Sequence, residues 1–470
     1  MTTGWRDWFM LFTYVAASVG FVFALKWLTH PTTARKGVQA GELGMLLAVI
    51  GTLVHAEVVN WVWIVVAVFV GSAIGTAIGL FVSMTAMPQR IAFSHACGAL
   101  AAALVGSAEY MLRQPNIEPF TMAILGLEML LGYLTFTGSM VAFGKLQGWV
   151  VPERPMVYRG QNIVNLTVLG IGVVLAVLLT VDPSRTELLV PLVLIGLVFG
   201  VMFVIRIGGA DMPTVISLLN SFAGLSGAAL GFAIANPILI VAGALDGSSG
   251  FLLSIFMCRA MNRSFANVLF GGFGQEQQRG SAVERKPVRA TTAEEVAVLL
   301  DTASLVIVAP GYGMAAAQAQ HKVSELADLL IRRGVDVIFA IHPVAGRMPG
   351  HMNVLLADAN VPYDRMQQLE DVNPEFDRCD VVLVIGANDT VNPAARHDEG
   401  SPIYGMPILD VDKARSVVVI KRSMRAGFAG IENELFYAPQ TSMLFGDAKD
   451  VVGELVHEVG RIPARAVVAA

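Results

Sequence analysis

Two clusters in the last third of the sequence have the residue types and spacing to hold a phosphorylated ligand. The first is Pro310-Gly311-Tyr312-Gly313-Met314-Ala315-Ala316, a G-x-G-x-x-A run. It follows Ser304 to Ala309, an apolar stretch of the kind that forms a buried parallel strand. Between a strand and a helix, Gly311 suits a tight turn and Gly313 admits backbone to a pyrophosphate. Ala316 would keep the helix close to the strand, and helix amides would then face the phosphates. The alternative is an ordinary strand-to-helix turn. The second cluster, Lys421-Arg422-Ser423, follows the strand-like Val417 to Ile420. Arginine grips phosphate with two hydrogen bonds, lysine adds a point charge and serine a hydroxyl. Here the alternative is a solvated cationic strand end. A dinucleotide with a free ribose hydroxyl usually meets a carboxylate at the end of the second strand. This sequence ends that strand Ala340-Ile341-His342-Pro343. The missing acid and the cationic trio together favour the 2′-phosphorylated dinucleotide, NADP(H).

Two further loops suit a ligand. Gly386-Ala387-Asn388-Asp389-Thr390-Val391-Asn392-Pro393 follows a buried strand, where open α/β sheets place their binding loops. Gly427-Phe428-Ala429-Gly430 puts glycine on both sides of an aromatic, as a mobile lid would need. Both could be plain turns. The domain has no convincing nucleophile–base pair, metal cluster or carboxylate dyad, and no metal is expected. Its three cysteines (Cys97, Cys258, Cys379) lie far apart, which argues against a disulfide framework. Hydride transfer between nicotinamides needs no protein acid or base; the same absence also fits plain nucleotide sensing.

A third group is set in apolar surroundings, where polar side chains are costly and tend to be functional. His95 and Glu109 share one apolar run, Glu128 and Ser139 the next; Asn220 and Asp246 lie in the last two, and Arg206 and Asp211 flank a short turn. Imidazole titrates near neutral pH, so His95 is the strongest proton-relay residue. For Ser139, Glu109 and Arg206, helix glue or snorkelling is an equal alternative.

These side chains need a membrane bundle and a soluble domain to position them. The 470-residue chain is only 15% charged, against about 25% for a soluble protein, and its mean hydropathy is +0.63. Nine apolar runs of spanning length lie near 8–28, 42–58, 61–83, 90–112, 120–144, 161–181, 187–207, 213–235 and 237–258. The second is the weakest, being short and ending in His55 and Glu57. One set of loops carries Arg35, Lys36, Arg90, Lys145, Arg154, Arg159, Arg206, Arg259 and Arg263; the other carries Arg6, Arg113 and Arg185. The richer side should be cytoplasmic, which puts the C-terminal domain there. Gly71, Gly75 and Gly79 share one face, a close-packing pattern for helices in lipid. A polar stretch after Gly271 reads as a tether. From Thr292, a capped helix and short apolar runs at 304–309, 335–341, 381–385, 406–409, 416–420 and 442–445 alternate with helical stretches such as 315–333. The expectation is a bundle of about nine membrane helices over 1–263, a linker over 264–291, and a Rossmann-like, doubly wound α/β domain over 292–470.

The segments GYGMAAAQAQ (311–320), HPVAGRMPGHMNVLLADANVPYD (342–364), IGANDTVNPAA (385–395) and KRSMRAGFAGIENELFY (421–437) resemble the NADP(H)-binding domain of proton-translocating nicotinamide nucleotide transhydrogenases. In the membrane half, FTGSMVAFGKLQG (136–148), GADMPTVISLLNS (209–221), GSSG (247–250) and CRAMNRSF (258–265) resemble the same family in its bacterial beta-subunit arrangement. The resemblance implies that hydride passes from NADH to NADP⁺, driven by inward proton movement. NAD(H) would sit on a separate alpha subunit, in a dimer of alpha–beta units in the bacterial inner membrane, with no nucleic-acid partner.

It implies a flipped NADP(H), with the glycine motif, including Tyr312, Met314, Ala315 and Ala316, at the pyrophosphate. The Arg347 segment, with Val344, Ala345, Gly346 and Met348, would contribute, and Asp447 and Ala448 are counted with these residues. Lys421-Arg422-Ser423 would hold the 2′-phosphate. Gly427 and Phe428 would belong to a closing lid, with phenylalanine where the family has tyrosine. Asp389 falls on a family aspartate placed near the nicotinamide and tied to coupling. His95, Asn220, Ser139 and Asp211 match family proton-path positions, His95 by its position in the span. Asp246 stands where an apolar residue is expected. The rival reading, a channel or transporter gated by a nucleotide-sensing domain, lacks any selectivity-filter motif.

Overall fold

The computed structural model describes residues 4–55, 60–148, 151–152, 155–262, 264–270, 287–401, 403–427 and 429–463. The chain divides into two compact units, one helical and one α/β.

The long helices are α1 (Trp5–Leu28), α2 (Pro31–Leu53), α3 (Trp61–Phe81), α4 (Met87–Arg113), α5 (Pro119–Gln147), α6 (Gln161–Val181), α7 (Leu189–Ile205), α8 (Met212–Ala233) and α9 (Pro237–Ala260). All but α2 are long and apolar enough to cross a membrane, eight in total among the described residues. The expected second span is displaced. Helix α2 starts at Pro31, a residue pre-shaped for a first turn, so Arg35 and Lys36 stand on the helix rather than in a loop. Glu57, Arg154 and Arg263 lie outside the described residues. Lys145 is also on a helix: it is buried within α5 and donates to the Ile205 carbonyl at 2.6 Å.

Helix α5 is the hub, packed against α4, α6 and α7. Glycine makes that packing possible. A Cβ on Gly200 of α7 would lie 2.1 Å from the Leu134 carbonyl oxygen, and one on Gly196 would lie 3.0 Å from the Tyr133 side chain. Close backbone approach also joins α8 and α9. A Cβ on Gly224 would meet the Gly247 nitrogen at 2.3 Å, and one on Gly243 the Ala228 nitrogen at 2.4 Å. The close-packing stripe expected at Gly71, Gly75 and Gly79 is instead open, with no described atom within 4 Å of any added Cβ. Helix α3 contributes no buried residue, and its contact at this stripe is polar: Arg90 Nη2 donates to the Gly79 carbonyl at 3.3 Å.

The α/β unit follows the short helix α10 (Phe265–Phe270), which lies in the expected linker; residues 271–286 are not among those described. Helix α11 (Ala293–Thr302) starts as its sequence predicts, with the Thr292 hydroxyl accepting from the Glu295 amide. Six strands follow: β1 (Leu305–Pro310), β2 (Asp336–Ile341), β3 (Met366–Gln368), β4 (Val381–Ile385), β5 (Ser416–Lys421) and β6 (Thr441–Phe445). All pair in parallel, in the order β3-β2-β1-β4-β5-β6, the doubly wound order. Strands β1 and β4 are buried along their whole length, as continuous aliphatic runs in a two-sided sheet should be.

The connecting helices include α12 (Tyr312–Ala316), α13 (Gln320–Arg332), α14 (His351–Asp358), α15 (Leu369–Val372), α16 (Ala394–His397) and α17 (Ala448–Arg461). Three expectations change. The helix expected over 315–333 is broken, because Gln318 takes a left-handed φ of 53°. Met406, Ile408 and Leu409 are buried but the segment forms no strand; the Leu409 amide donates instead to the Thr390 carbonyl. Strand β3 replaces it in the count.

Candidate functional site

Strand order places the site. In a 3-2-1-4-5-6 sheet the crossovers leave in opposite directions from β1 and β4, which opens a crevice at their carboxyl ends. The loops that leave those two strands carry Gly311-Tyr312-Gly313 and Gly386-Ala387-Asn388-Asp389-Thr390. They line one cavity of about 610 Å³ together with Val344, Ala345, Gly346, Lys421, Arg422, Ser423, Gly427, Asp447 and Ala448, a volume in the range of small-ligand sites. Ala429, from the expected lid segment, lines it too, and sequence reasoning missed other walls: Ala317, Ile403, Met406, Arg425, Ala426 and Gly446. Gly446, directly after β6, was the one legible signal; its φ is 155° and a Cβ would strike Val451 at 2.4 Å.

The glycine motif works differently from the expectation. Gly311 is extended rather than tightly turned (φ −130°). Its amide donates to the Ile385 carbonyl and that of Gly313 to the Gly386 carbonyl, both at 2.9 Å. A Cβ on Gly311 would lie 2.4 Å from the Ala387 Cα, and one on Gly313 would lie 2.6 Å from the Gly386 Cα. These glycines therefore lock two ligand loops together backbone to backbone, and both amides are spent on that lock. Ala316 does not hold helix to strand, because it is exposed; Met314 and Ala315 are the buried residues of this turn. None of the three lines the cavity.

The cationic strand end is tied to the loops. Lys421 Nζ donates to Asn388 Oδ1 at 3.2 Å and to the Arg425 carbonyl at 2.6 Å, and stands 4.6 Å from the Phe436 ring centre. Burial lowers its pKa, and Asp389 opposes that shift. One oxygen of Asp389 accepts from Asn388 Nδ2 at 2.9 Å, the other from the Ala429 amide at 3.0 Å. The Gly427 segment is thus latched to the Asp389 loop. Phe428 lies outside the described residues. Val391 and Asn392 sit behind the wall: Val391 is in the core, and the buried Asn392 bridges the Glu432 carbonyl and the Ala394 amide.

The loop after β2 has no carboxylate. Its buried His342 contacts the Pro407 carbonyl at 2.7 Å through Nε2 and accepts from the Val344 amide through Nδ1. Burial pushes His342 down to about 4, so it is neutral at pH 7. His351 is also pushed down to about 4, by burial and then by Arg347; its Nδ1 accepts from the Arg347 amide. Arg347 lies 4.2 Å over the Tyr312 ring and Met348 is buried; both support the wall rather than line it. Asp447 caps α17, accepting from the Lys449 amide at 3.0 Å.

In the helical unit, His95 lies on α4, Ser139 on α5 and Asn220 on α8; Asp211, in a single turn just before α8, belongs to the other unit and lines its cavity. No hydrogen bond joins His95, Ser139 and Asn220 to one another among the described residues. Asn220 Nδ2 instead donates to Asp246 Oδ1 on α9 at 2.9 Å. Glu128 is fully buried and accepts from Ser226 at 3.1 Å, Glu109 pairs with Arg113, and Arg206 donates to Asn162.

Residues 10–458 match the family model described as NAD(P) transhydrogenase beta subunit. Two relatives carry the name NAD(P) transhydrogenase subunit beta, one from Rhodospirillum rubrum and one from a named strain of that species. Each is 48% identical over 453 residues, covering 94% of this chain and 97% of the relative. The match runs through both the membrane helices and the parallel-sheet unit, and it sets the whole architecture in one context: the chain belongs to the NAD(P) transhydrogenase beta subunit family, oxidoreductases of the membrane.

Proposed function

We propose that this chain binds NADP(H) in the cavity at the β1/β4 crevice and couples hydride transfer to proton movement across a membrane. One observation carries the nucleotide half: the cationic trio Lys421-Arg422-Ser423 opens into the same cavity as the two locked loops, while the β2 end offers a neutral His342 in place of a carboxylate. Lys421, Arg422 and Ser423 would hold the 2′-phosphate, and Tyr312 and the Val344–Gly346 turn would shape the pyrophosphate side. Asp389 would sit beside the nicotinamide and hold the Gly427 segment closed. The bound cofactors supply the redox chemistry: a hydride leaves NADH and adds to NADP⁺, giving NAD⁺ and NADPH. The chain positions NADP(H), excludes water and moves protons.

NAD(H) would be carried by an alpha subunit, in a dimer of alpha–beta units in the bacterial inner membrane. Residues 1–263 would then conduct protons through His95, Ser139, Asn220 and Asp211, residues 264–291 would link, and residues 292–470 would face the cytoplasm. Titrating the detergent-solubilised chain with NADPH and NADH tests the site. Lys421→Ala with Arg422→Ala is expected to lower NADPH affinity about 100-fold, since charge-assisted hydrogen bonds contribute roughly 1.5–3 kcal/mol each. An unchanged ratio of NADPH to NADH affinity would remove the trio from the site.

A further inference from the structure

We propose that Asp246 is a proton-carrying residue of the membrane relay; this rests on the proposed proton path through α4 and α8. Asp246 lies in the middle of α9, in the apolar run Ile238-Leu239-Ile240-Val241-Ala242-Gly243-Ala244-Leu245 that leads into it. A carboxylate at that depth is costly unless it is neutralised, paired or wet, and such residues mark ion and proton routes. Its hydrogen-bond partner is a side chain with an independent claim to that route. Asn220 on α8 donates to its Oδ1 at 2.9 Å. The titratable group proposed for the same route is His95 on α4.

The helices are held so that this meeting is fixed. The glycine contact between Gly224 and Gly247 brings α8 and α9 to backbone distance next to Asp246, and Ser221 Oγ donates to the Gly247 carbonyl at 2.7 Å one residue along. Asp246 cannot slide away from Asn220 without breaking that seam. The carboxyl is exposed on the helical unit, and Nδ1 of His95 has no hydrogen-bond partner among the described residues. Asn220 is an amide: it can orient a carboxyl but has no proton to give at neutral pH. An acid beside it supplies what the path otherwise lacks between protonation events at His95. The step balances without a co-reactant. Imidazolium releases its proton and the Asp246 carboxylate takes it, leaving neutral imidazole and a carboxylic acid; the reverse transfer resets both.

The test uses the complete alpha–beta complex in sealed vesicles, with proton movement read by a pH-sensitive dye during NAD⁺ reduction by NADPH. Asp246→Asn keeps a partner for Asn220 but carries no proton; it is expected to slow proton movement at least tenfold and to change its pH profile. Asp246→Glu restores the carboxyl and is expected to recover most of the rate. NADPH binding to each variant serves as the folding control. Should Asp246→Asn fail that control, Asp246→Glu and Asp246→Ser, with the same dye readout, decide the matter. An Asn variant that folds and pumps at the wild-type rate with the wild-type pH profile would overturn the proposal, because a hydrogen bond to Asn220 would then be all that Asp246 provides. A wild-type complex that transfers hydride without moving protons would overturn the underlying path as well.

Discussion

Gly313 has no room for a side chain, and the obstacle is backbone rather than a flexible neighbour. A methyl group there would sit 2.6 Å from the Gly386 Cα, and forced contacts of this kind cost about 1–3 kcal/mol. Gly313→Ala is expected to loosen the 386–389 loop and lower NADPH affinity by roughly tenfold, measured by equilibrium titration; unaltered affinity would show that the two loops can part freely. The two buried imidazoles give a second prediction at this scale. His342 and His351 lie far below the ordinary 6.5, at about 4, so the unfolded chain takes up their protons first. The stabilisation of the 342–351 segment is therefore complete above about pH 6.5 and is lost as pH falls towards 4. Amide exchange over residues 344–351, corrected for intrinsic rates, should accelerate between pH 7 and pH 5 more than exchange in β4; equal protection at both pH values would contradict this. A third concerns Cys379, whose buried thiol is pushed up to about 12. It should resist alkylation until the α/β unit unfolds, which mass spectrometry would detect.

At the scale of elements, five of the six strands were legible because parallel strands buried on both faces are written as unbroken aliphatic runs. Val306-Ile307-Val308 and Val382-Leu383-Val384 could hardly be read otherwise. Strand β3 escaped because Met366-Gln367-Gln368 is three residues long and two of them are polar, while 406–409 is as apolar as a strand yet pairs with loop residues instead of a ladder. The break at Gln318 left no trace, since glutamine is an ordinary helix former. Glycine patterns in the membrane half were the least reliable guide: the regular stripe on α3 is open, while Gly224 and Gly243 carry the tight α8–α9 seam. That seam gives a prediction. Gly243→Val, whose Cβ would fall 2.4 Å from the Ala228 nitrogen, should separate α8 from α9, lower the thermal transition of the detergent-solubilised chain and impair proton movement. An equally stable Gly243→Val protein would show that the helices can separate without cost.

For the whole molecule, a cavity and a set of membrane polar residues become one machine only if occupancy of one responds to the other. Much of the candidate site was readable because ligand loops must follow strand ends, and cations suited to a 2′-phosphate must follow one of them. The latch from Asp389 to the Ala429 amide was not readable, since it depends on how the chain folds back over 40 residues. The central claim is that hydride transfer and proton movement are linked. The decisive measurement is the rate of NADP⁺ reduction by NADH in vesicles holding this chain with its alpha partner, with and without an imposed inward proton gradient. The account predicts a several-fold faster rate under the gradient, and loss of that acceleration in His95→Ala. A rate indifferent to the gradient in an intact, nucleotide-binding complex would contradict it.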